Sequence, residues 1–124
     1  MKGYTDLEQS RELKKILPLE SADMIWVLAN PDLPMIRAIA YEDSDYNNKY
    51  YEILPAWSLS ALLGLMPTDD KKDEYYVTTE SHSDYYTVNY RNCWDGCIHS
   101  EYSEESLLDA AFKMICWLKE NGKI

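Results

Sequence analysis

The chain has 124 residues, of which 46% are hydrophobic and 27% charged, a balance typical of one globular domain and too apolar for a disordered segment. With 22 acidic against 12 basic residues its net charge is −10, and a field of that sign repels the phosphate backbone of DNA or RNA. No apolar run approaches the roughly 20 residues of a membrane-spanning helix, and the first residues lack the apolar core of a secretory signal. We therefore expect no direct nucleic-acid binding, no membrane insertion and a cytoplasmic location.

The first half of the chain predicts one helix and three short strands. A capping box formed by Thr5 and Glu8 begins a helix over residues 5–17. The polar residues 42–49 predict a surface loop, and residues 30–34 predict a hairpin turn. Short apolar runs bounded by turn residues predict three strands, over 24–29, 35–41 and 50–54.

The second half predicts two helices around an antiparallel group of strands. The apolar spacing in PAWSLSALLGLMP, residues 55–67, forms one face of a helix, and a long helix runs from the cap Ser103 to about Glu120. Alternating Tyr, Val and Thr predict half-buried strands over 75–80 and 85–91, and the turn signal at residues 92–96 predicts that residues 98–102 return as a further strand. We expect one core to bury eight side chains: Leu59, Leu62, Leu63, Leu107, Ala111, Met114, Ile115 and Leu118.

Together these elements predict the fold class and its organisation. The wide apolar arc of the last helix needs a sheet to cover it, and the strands are patterned for antiparallel pairing. We therefore predict an α+β fold in which a single layer of antiparallel sheet, with four to six strands, packs against about three helices. The whole chain, residues 1–124, forms one domain in this interpretation.

Three blocks of the sequence resemble a known family. The blocks are SADM at residues 21–24, PAWSLSALLGLMP at 55–67 and LDAAFKMICWL at 108–118. They are similar to a family of small proteins of unassigned function encoded by gut Bacteroides-type bacteria and by their phages and prophages. The resemblance implies a mobile-element protein in the cytoplasm of a bacterial host, and it transfers no activity and no catalytic residue.

Reactive side-chain types concentrate in the segment CWDGCIH. Cys93, Cys97 and His99 are zinc-ligand types, and a fourth ligand would have to come from Cys116 or His82. The spacing C-x₃-C-x-H differs from the C-x₂-C of zinc knuckles and ribbons, and a Cys–His–Asp nucleophile normally draws on distant segments. We therefore predict unpaired thiols and a surface histidine, with no metal and no cofactor.

The chain also lacks the common catalytic motifs. The four glycines are scattered, so no phosphate-binding loop is present, and neither G-x-S-x-G nor H-E-x-x-H occurs. The paired carboxylates lie in polar segments and at a helix start, where solvated charge and dipole partners are common. We therefore predict no catalytic residue.

Three functional hypotheses follow. The first is a non-enzymatic accessory or inhibitor protein that binds another protein through an acidic, Tyr-rich surface. The second is a small-molecule binding or sequestering protein, for a nucleotide-like ligand, with a pocket lined by Tyr and Trp. The third is a purely structural protein without a binding activity.

The strand patterns predict which side chains form the binding surface. The more apolar alternate set should face the helices: Tyr75, Val77, Thr79, Tyr86, Val88 and Tyr90. The other set should point outward: Tyr76, Thr78, Glu80, Tyr85, Thr87, Asn89 and Arg91. Within the outward set, Tyr and Arg are the types enriched as interface anchors, so we predict partner contacts at Tyr76, Tyr85 and Arg91.

Overall fold

The fold was described from a computed structural model, which covers residues 2–29, 32–41, 52–68 and 74–124. The described residues are α+β, with three α-helices and two antiparallel sheets of three strands each. The predicted class is therefore confirmed, while the prediction of a single sheet layer is wrong. Two compact units divide the chain: an N-terminal unit, residues 3–61, and a C-terminal unit, residues 1–2 and 62–124.

The N-terminal unit contains one helix and one sheet. Its elements are α1 (Leu7–Ile16), a 3₁₀ turn (Leu19–Ser21), β1 (Met24–Val27), β2 (Met35–Arg37) and β3 (Ile53–Ala56). The strand order is β2-β1-β3, and in this sheet Trp26 is paired with Ile36 on one side and Leu54 on the other. The predicted edge strand therefore begins later than expected and extends to Ala56, because its apolar residues continue the pairing with β1.

The first helix begins one residue later than predicted. Asp6 is the N-cap, and Asp6 and Gln9 form the capping box in place of Thr5 and Glu8. Thr5 is instead fully buried, and its hydroxyl accepts a hydrogen bond from the backbone N–H of Trp57. A tertiary contact thus uses the oxygen that the sequence pattern assigned to the cap.

The C-terminal unit places one long helix on its sheet. Its elements are β4 (Tyr75–Ser81), β5 (Tyr86–Asn92), β6 (Ile98–Glu104) and α3 (Leu107–Glu120), and α2 (Leu59–Gly64) contains the division between the units. The strand order is β4-β5-β6, and α3 packs on β5 and β6. The helix ends at Asn121, and Gly122 follows with a φ of 68°, a conformation that favours glycine.

The last helix also starts later than predicted. Its N-cap is Ser106, whose hydroxyl accepts a hydrogen bond from the backbone N–H of Asp109. The predicted cap, Ser103, belongs to β6 and hydrogen-bonds the Thr87 hydroxyl of β5 at 2.8 Å. Strand pairing therefore extends over residues that the sequence pattern assigned to the helix.

The predicted core is confirmed for five of its eight members. Completely buried side chains are Leu62, Ala111, Met114, Ile115 and Leu118, whereas Leu59, Leu63 and Leu107 remain partly exposed. Leu59 and Leu107 are the first residues of α2 and α3, and Leu63 lies next to the end of α2, so the partly exposed members lie at or near helix ends.

Several predictions fall on residues outside the described ranges. The loop predicted over 42–49 and, within the predicted turn 30–34, Asn30 and Pro31 are among them. Within the described residues, no helix combines the length and the apolarity that crossing a membrane requires.

Candidate interaction surface on the C-terminal sheet

The C-terminal sheet presents the predicted apolar set toward α3. Val77 is paired with Tyr90, so their side chains share a face, and the Tyr90 ring lies 5.3 Å from the ring of Trp117 in α3. The predicted side-chain facing of β4 and β5 is therefore confirmed at these positions.

The opposite face is less open than predicted. Thr87 and Asn89 belong to the set expected to point outward, yet they are only 5% and 1% exposed. The prediction that these two side chains face solvent or a partner is thus wrong, because both faces of β5 are covered at its centre. The side-chain amide of Asn89 has no hydrogen-bond partner among the described residues, at either its nitrogen Nδ2 or its oxygen Oδ1.

A substitution at Asn89 should therefore stabilise the protein. An unsatisfied buried amide costs about 1–3 kcal/mol, so we expect Asn89→Val to raise the free energy of unfolding by about 1–2 kcal/mol in chemical denaturation. Thr87→Val is the matched control, because Thr87 lies on the same strand face and its hydroxyl is satisfied by Ser103. A loss of stability in Asn89→Val would show that the amide has a partner, such as a buried water.

The structure brings two of the three predicted contact residues together. Tyr76 and Arg91 are direct partners across β4 and β5. Tyr85 precedes β5, is 44% exposed and stacks on the His82 ring at 4.3 Å. Because Arg91 lies six positions after Tyr85 along an extended chain, the two lie roughly 20 Å apart, at opposite ends of the strand.

Arg91 forms hydrogen bonds both to side chains on the outer face of the sheet and to the loop that follows β5. Its guanidinium donates to the Thr78 hydroxyl at 3.1 Å and forms an ion pair with Glu80 at 2.9 Å. A third bond, from Nη1, reaches the carbonyl oxygen of Gly96 at 3.1 Å. Arg91 is thus half-buried, and most of its hydrogen-bonding capacity is used within the fold.

The loop after β5 has a fixed backbone. The side-chain oxygen of Asn92 accepts hydrogen bonds from the backbone N–H groups of Trp94 and Asp95, an Asx turn. Gly96 has a φ of 69° and donates its N–H to the Asn92 carbonyl oxygen. A side chain at this position would be strained, so the turn depends on glycine. The Asp95 carboxylate, in turn, accepts from the backbone N–H of Cys97.

This loop exposes a tryptophan. Trp94 is 85% exposed, the largest exposed fraction among the large hydrophobic residues of the described ranges, and Ile98, the first residue of β6, is 47% exposed. An exposed indole on a fixed loop is well suited to protein recognition, since little conformational freedom is lost on binding. The sequence signal was available, because Trp94 lies within the turn residues NCWDG and outside every apolar periodicity.

The Cys/His segment does not gather into a metal site in the described residues. No group of three or more His, Cys, Asp or Glu side chains there is close enough to hold an ion, and none of the three cysteines forms a disulfide. His99 instead lies among aromatic rings, with its own ring 5.6 Å from Tyr75 and 5.7 Å from Trp117.

The Cys97 thiol has reduced acidity. A hydrogen bond to the Asp95 carboxylate, together with the negative charge of that group, raises the pKa of Cys97. Because the thiolate is the nucleophile, we expect slow alkylation at pH 8 and several-fold faster alkylation in Asp95→Asn. Peptide mapping by mass spectrometry would measure the rate, with Cys116 on α3 as the internal reference. Equal rates with and without Asp95 would contradict this assignment.

The aromatic rings near His99 pack against one another. Tyr75 stacks on Tyr90 at 5.3 Å, and Tyr90 in turn contacts Trp117. A base inserted between two parallel rings needs roughly 7 Å, twice the ~3.5 Å contact distance. The cluster therefore offers no slot for a base, and its rings stabilise the end of the sheet.

A shallow groove lies in the N-terminal unit, between α1 and β3. It has a volume of about 410 Å³ and is lined by Glu8, Arg11, Glu12, Lys14, Lys15, Glu52 and Leu54. These side chains are mostly charged, of both signs, and none is aromatic. The described part of the groove therefore lacks the Tyr and Trp lining that the nucleotide hypothesis requires.

Comparisons with protein-family models, with curated proteins and with solved structures found no match to this chain. The assignment of a function therefore depends on the geometry and charge of the described residues.

Proposed function

We propose that the protein is a non-enzymatic binding protein, an accessory or inhibitor protein of a phage or other mobile element, that engages another protein through its C-terminal unit. The contact surface is the acidic end of the C-terminal sheet, centred on Trp94 and flanked by Tyr76 and Arg91. The mobile-element origin rests on the sequence resemblance.

One observation carries the proposal: the 85% exposure of Trp94 on a loop whose backbone is held by side-chain hydrogen bonds. Tryptophan is among the residue types most enriched in interface anchors. Burial of an indole in a partner's pocket would remove a large apolar surface from water. Nothing within the described residues uses this ring for packing, so partner binding accounts for it better than stability does.

The test is a comparison of binding by matched variants. Protein captured from a lysate of the bacterial host by the wild-type chain would be identified, purified and titrated against each variant. We expect Trp94→Ala to weaken its binding by at least about tenfold, that is about 1.4 kcal/mol, without loss of stability. Leu33→Ala, at a residue 70% exposed in the N-terminal unit, is the control and should leave binding unchanged. Equal affinity of wild type and Trp94→Ala would refute the proposal.

Tyr85→Ala measures how far the surface extends. Tyr85 lies at the other end of β5, so only a partner that spans the sheet would contact both Tyr85 and Trp94. For such a partner, we expect a loss of about 1–2 kcal/mol of binding free energy.

The nucleotide hypothesis is a weaker second candidate. The rings of Tyr75, Tyr90 and Trp117 pack on one another, and none of the described residues that line the groove beside α1 is aromatic. The net charge of −10 also disfavours a phosphorylated ligand. A thermal-shift screen with nucleotides tests this candidate directly.

A further inference from the structure

The two edges of the C-terminal sheet differ in their backbone contacts. On β4, the N–H of Val77 donates to the carbonyl oxygen of Pro67 at 2.6 Å, so this edge is already engaged. On β6, no backbone hydrogen bond leaves the side away from β5 within the described ranges. A strand with open N–H and C=O groups is a template on which another strand can pair.

The contact at Pro67 also fixes which backbone groups point outward. In an antiparallel pair, alternate residues bond to the neighbouring strand. The backbone N–H of Val77 points away from β5. The backbone groups of the next residue, Thr78, therefore bond to β5, where the partner of Thr78 is Asn89. The residues on either side of Asn89 therefore bond to β6.

On β6, these bonds are made by Ser100 and Tyr102, which are the partners of Tyr90 and Val88. The intervening residues, Glu101 and Ser103, consequently direct their backbone N–H and C=O groups away from the sheet. Both are exposed, as a free edge requires.

The free edge is acidic. The sequence contains no Lys or Arg between residues 92 and 112, a stretch that includes Asp95, Glu101, Glu104, Glu105 and Asp109. Lys113 neutralises Glu104, and Lys2 neutralises Asp109 at 2.7 Å. Glu101 and Glu105 are exposed and form no ion pair within the described residues. Unneutralised carboxylates along an open edge favour a partner strand of positive charge.

The same charges disfavour a second copy of this chain. Glu101 is the central residue of β6, so a symmetric antiparallel pairing of two β6 strands would set Glu101 opposite Glu101. Like charges directly opposite destabilise a strand pair. A partner strand could also make apolar contacts, because Ile98 at the start of β6 and Trp94 in the preceding loop are exposed.

We propose that β6 accepts an extended, basic segment of a partner protein as a fourth strand of the C-terminal sheet, and that an apolar side chain of this segment packs on Ile98 and Trp94. This inference rests on the proposed function, and it specifies the partner as a Lys- or Arg-rich extended peptide. The outward N–H and C=O groups of Glu101 and Ser103 would form the hydrogen bonds to the added strand. The exposed carboxylates of Glu101 and Glu105 would favour its positive charge.

The first test is amide hydrogen exchange of the full chain by NMR, with a synthetic seven-residue peptide that alternates Lys and Val. At saturation we expect exchange to slow by at least about tenfold at Glu101 and Ser103, with little change at Ser100 and Tyr102, which are already bonded. A peptide that alternates Glu and Val is the control and should give no protection. The proposal is overturned if Glu101 and Ser103 stay unprotected, or if the acidic peptide protects them equally.

The second test uses substitutions at Glu101. Glu101→Pro removes the carboxylate and an outward N–H but no bond to β5, whereas Glu101→Ala removes the carboxylate and keeps the N–H. We expect the Lys–Val peptide to bind Glu101→Pro at least about tenfold more weakly than Glu101→Ala. Equal affinities would contradict strand pairing. If Glu101→Pro does not fold, Glu101→Lys is the alternative, because it keeps the backbone N–H and reverses the charge. We expect the Lys–Val peptide to bind Glu101→Lys more weakly than wild type, and an unchanged affinity for this variant would contradict the charge preference.

Two further outcomes separate this inference from the proposed function. Loss of partner binding in Trp94→Ala, without protection at Glu101 and Ser103 in the complex, would refute strand pairing and leave the proposed function standing. Protection of these two amides that rises with protein concentration alone, together with dimer formation in sedimentation, would assign the edge to a second copy and overturn the basic-peptide proposal.

Discussion

Trp57→Ala should lower the free energy of unfolding by about 3–5 kcal/mol, because it would empty a large buried volume and remove the hydrogen bond made by the indole N–H. The Trp57 side chain is completely buried, and its Nε1 donates to the Ser21 hydroxyl at 2.9 Å. Its backbone N–H and carbonyl oxygen both bond to Thr5. Chemical denaturation followed by circular dichroism would measure the effect.

Trp94→Ala is the matched control for Trp57→Ala. The chemical change is identical, but Trp94 is 85% exposed, so its loss should alter stability by no more than about 0.5 kcal/mol. Thr5→Val adds a test of the hydrogen bonds, since it removes the acceptor of the Trp57 N–H and should cost about 1–3 kcal/mol. Similar stability of the two Trp→Ala variants would refute the burial of Trp57.

Leu118→Ala should cost about 2–5 kcal/mol, the range for deletion of buried methyl groups from a close-packed core. Leu118 lies on α3 and is completely buried. The spread of the expected cost depends on how far the surrounding side chains collapse into the cavity.

Leu33→Ala is the control for Leu118→Ala, because the same atoms are removed from a side chain that is 70% exposed. We expect it to stay within about 0.5 kcal/mol of the wild type. If Leu118→Ala behaved like Leu33→Ala, the buried face assigned to α3 would be wrong.

The local elements were predictable because their signals are local. The spacing of Leu107, Ala111, Met114, Ile115 and Leu118 indicates one helix face, and all of these side chains except Leu107 are completely buried. The alternation in β4 and β5 likewise predicted that Tyr90 faces the helix. Both periodicities are properties of the backbone, so they hold before any tertiary contact is known.

The candidate surface was predicted only in part. Tyr76 and Arg91 were identified from side-chain type and strand alternation, and their pairing follows from the hairpin register. Trp94 was not singled out, although it lies in a turn segment outside every apolar periodicity; the conformation of that segment involves an Asx turn and the bond from Arg91 to Gly96. Whether β6 is an open edge depends equally on the order of the strands in the sheet, and the periodicity of the sequence does not determine that order.

What the sequence by itself determined is the α+β class, the period of each element and the acidic charge. The tertiary structure decided how the strands divide into two sheets, where the helices begin and which outward residues are covered. Thr5 and Ser103 illustrate the reason, since each has the side chain of a helix cap but bonds to a distant segment instead. Asn89 is buried for a similar reason, because alternation assigns a strand residue to a face and only tertiary packing decides whether that face meets solvent.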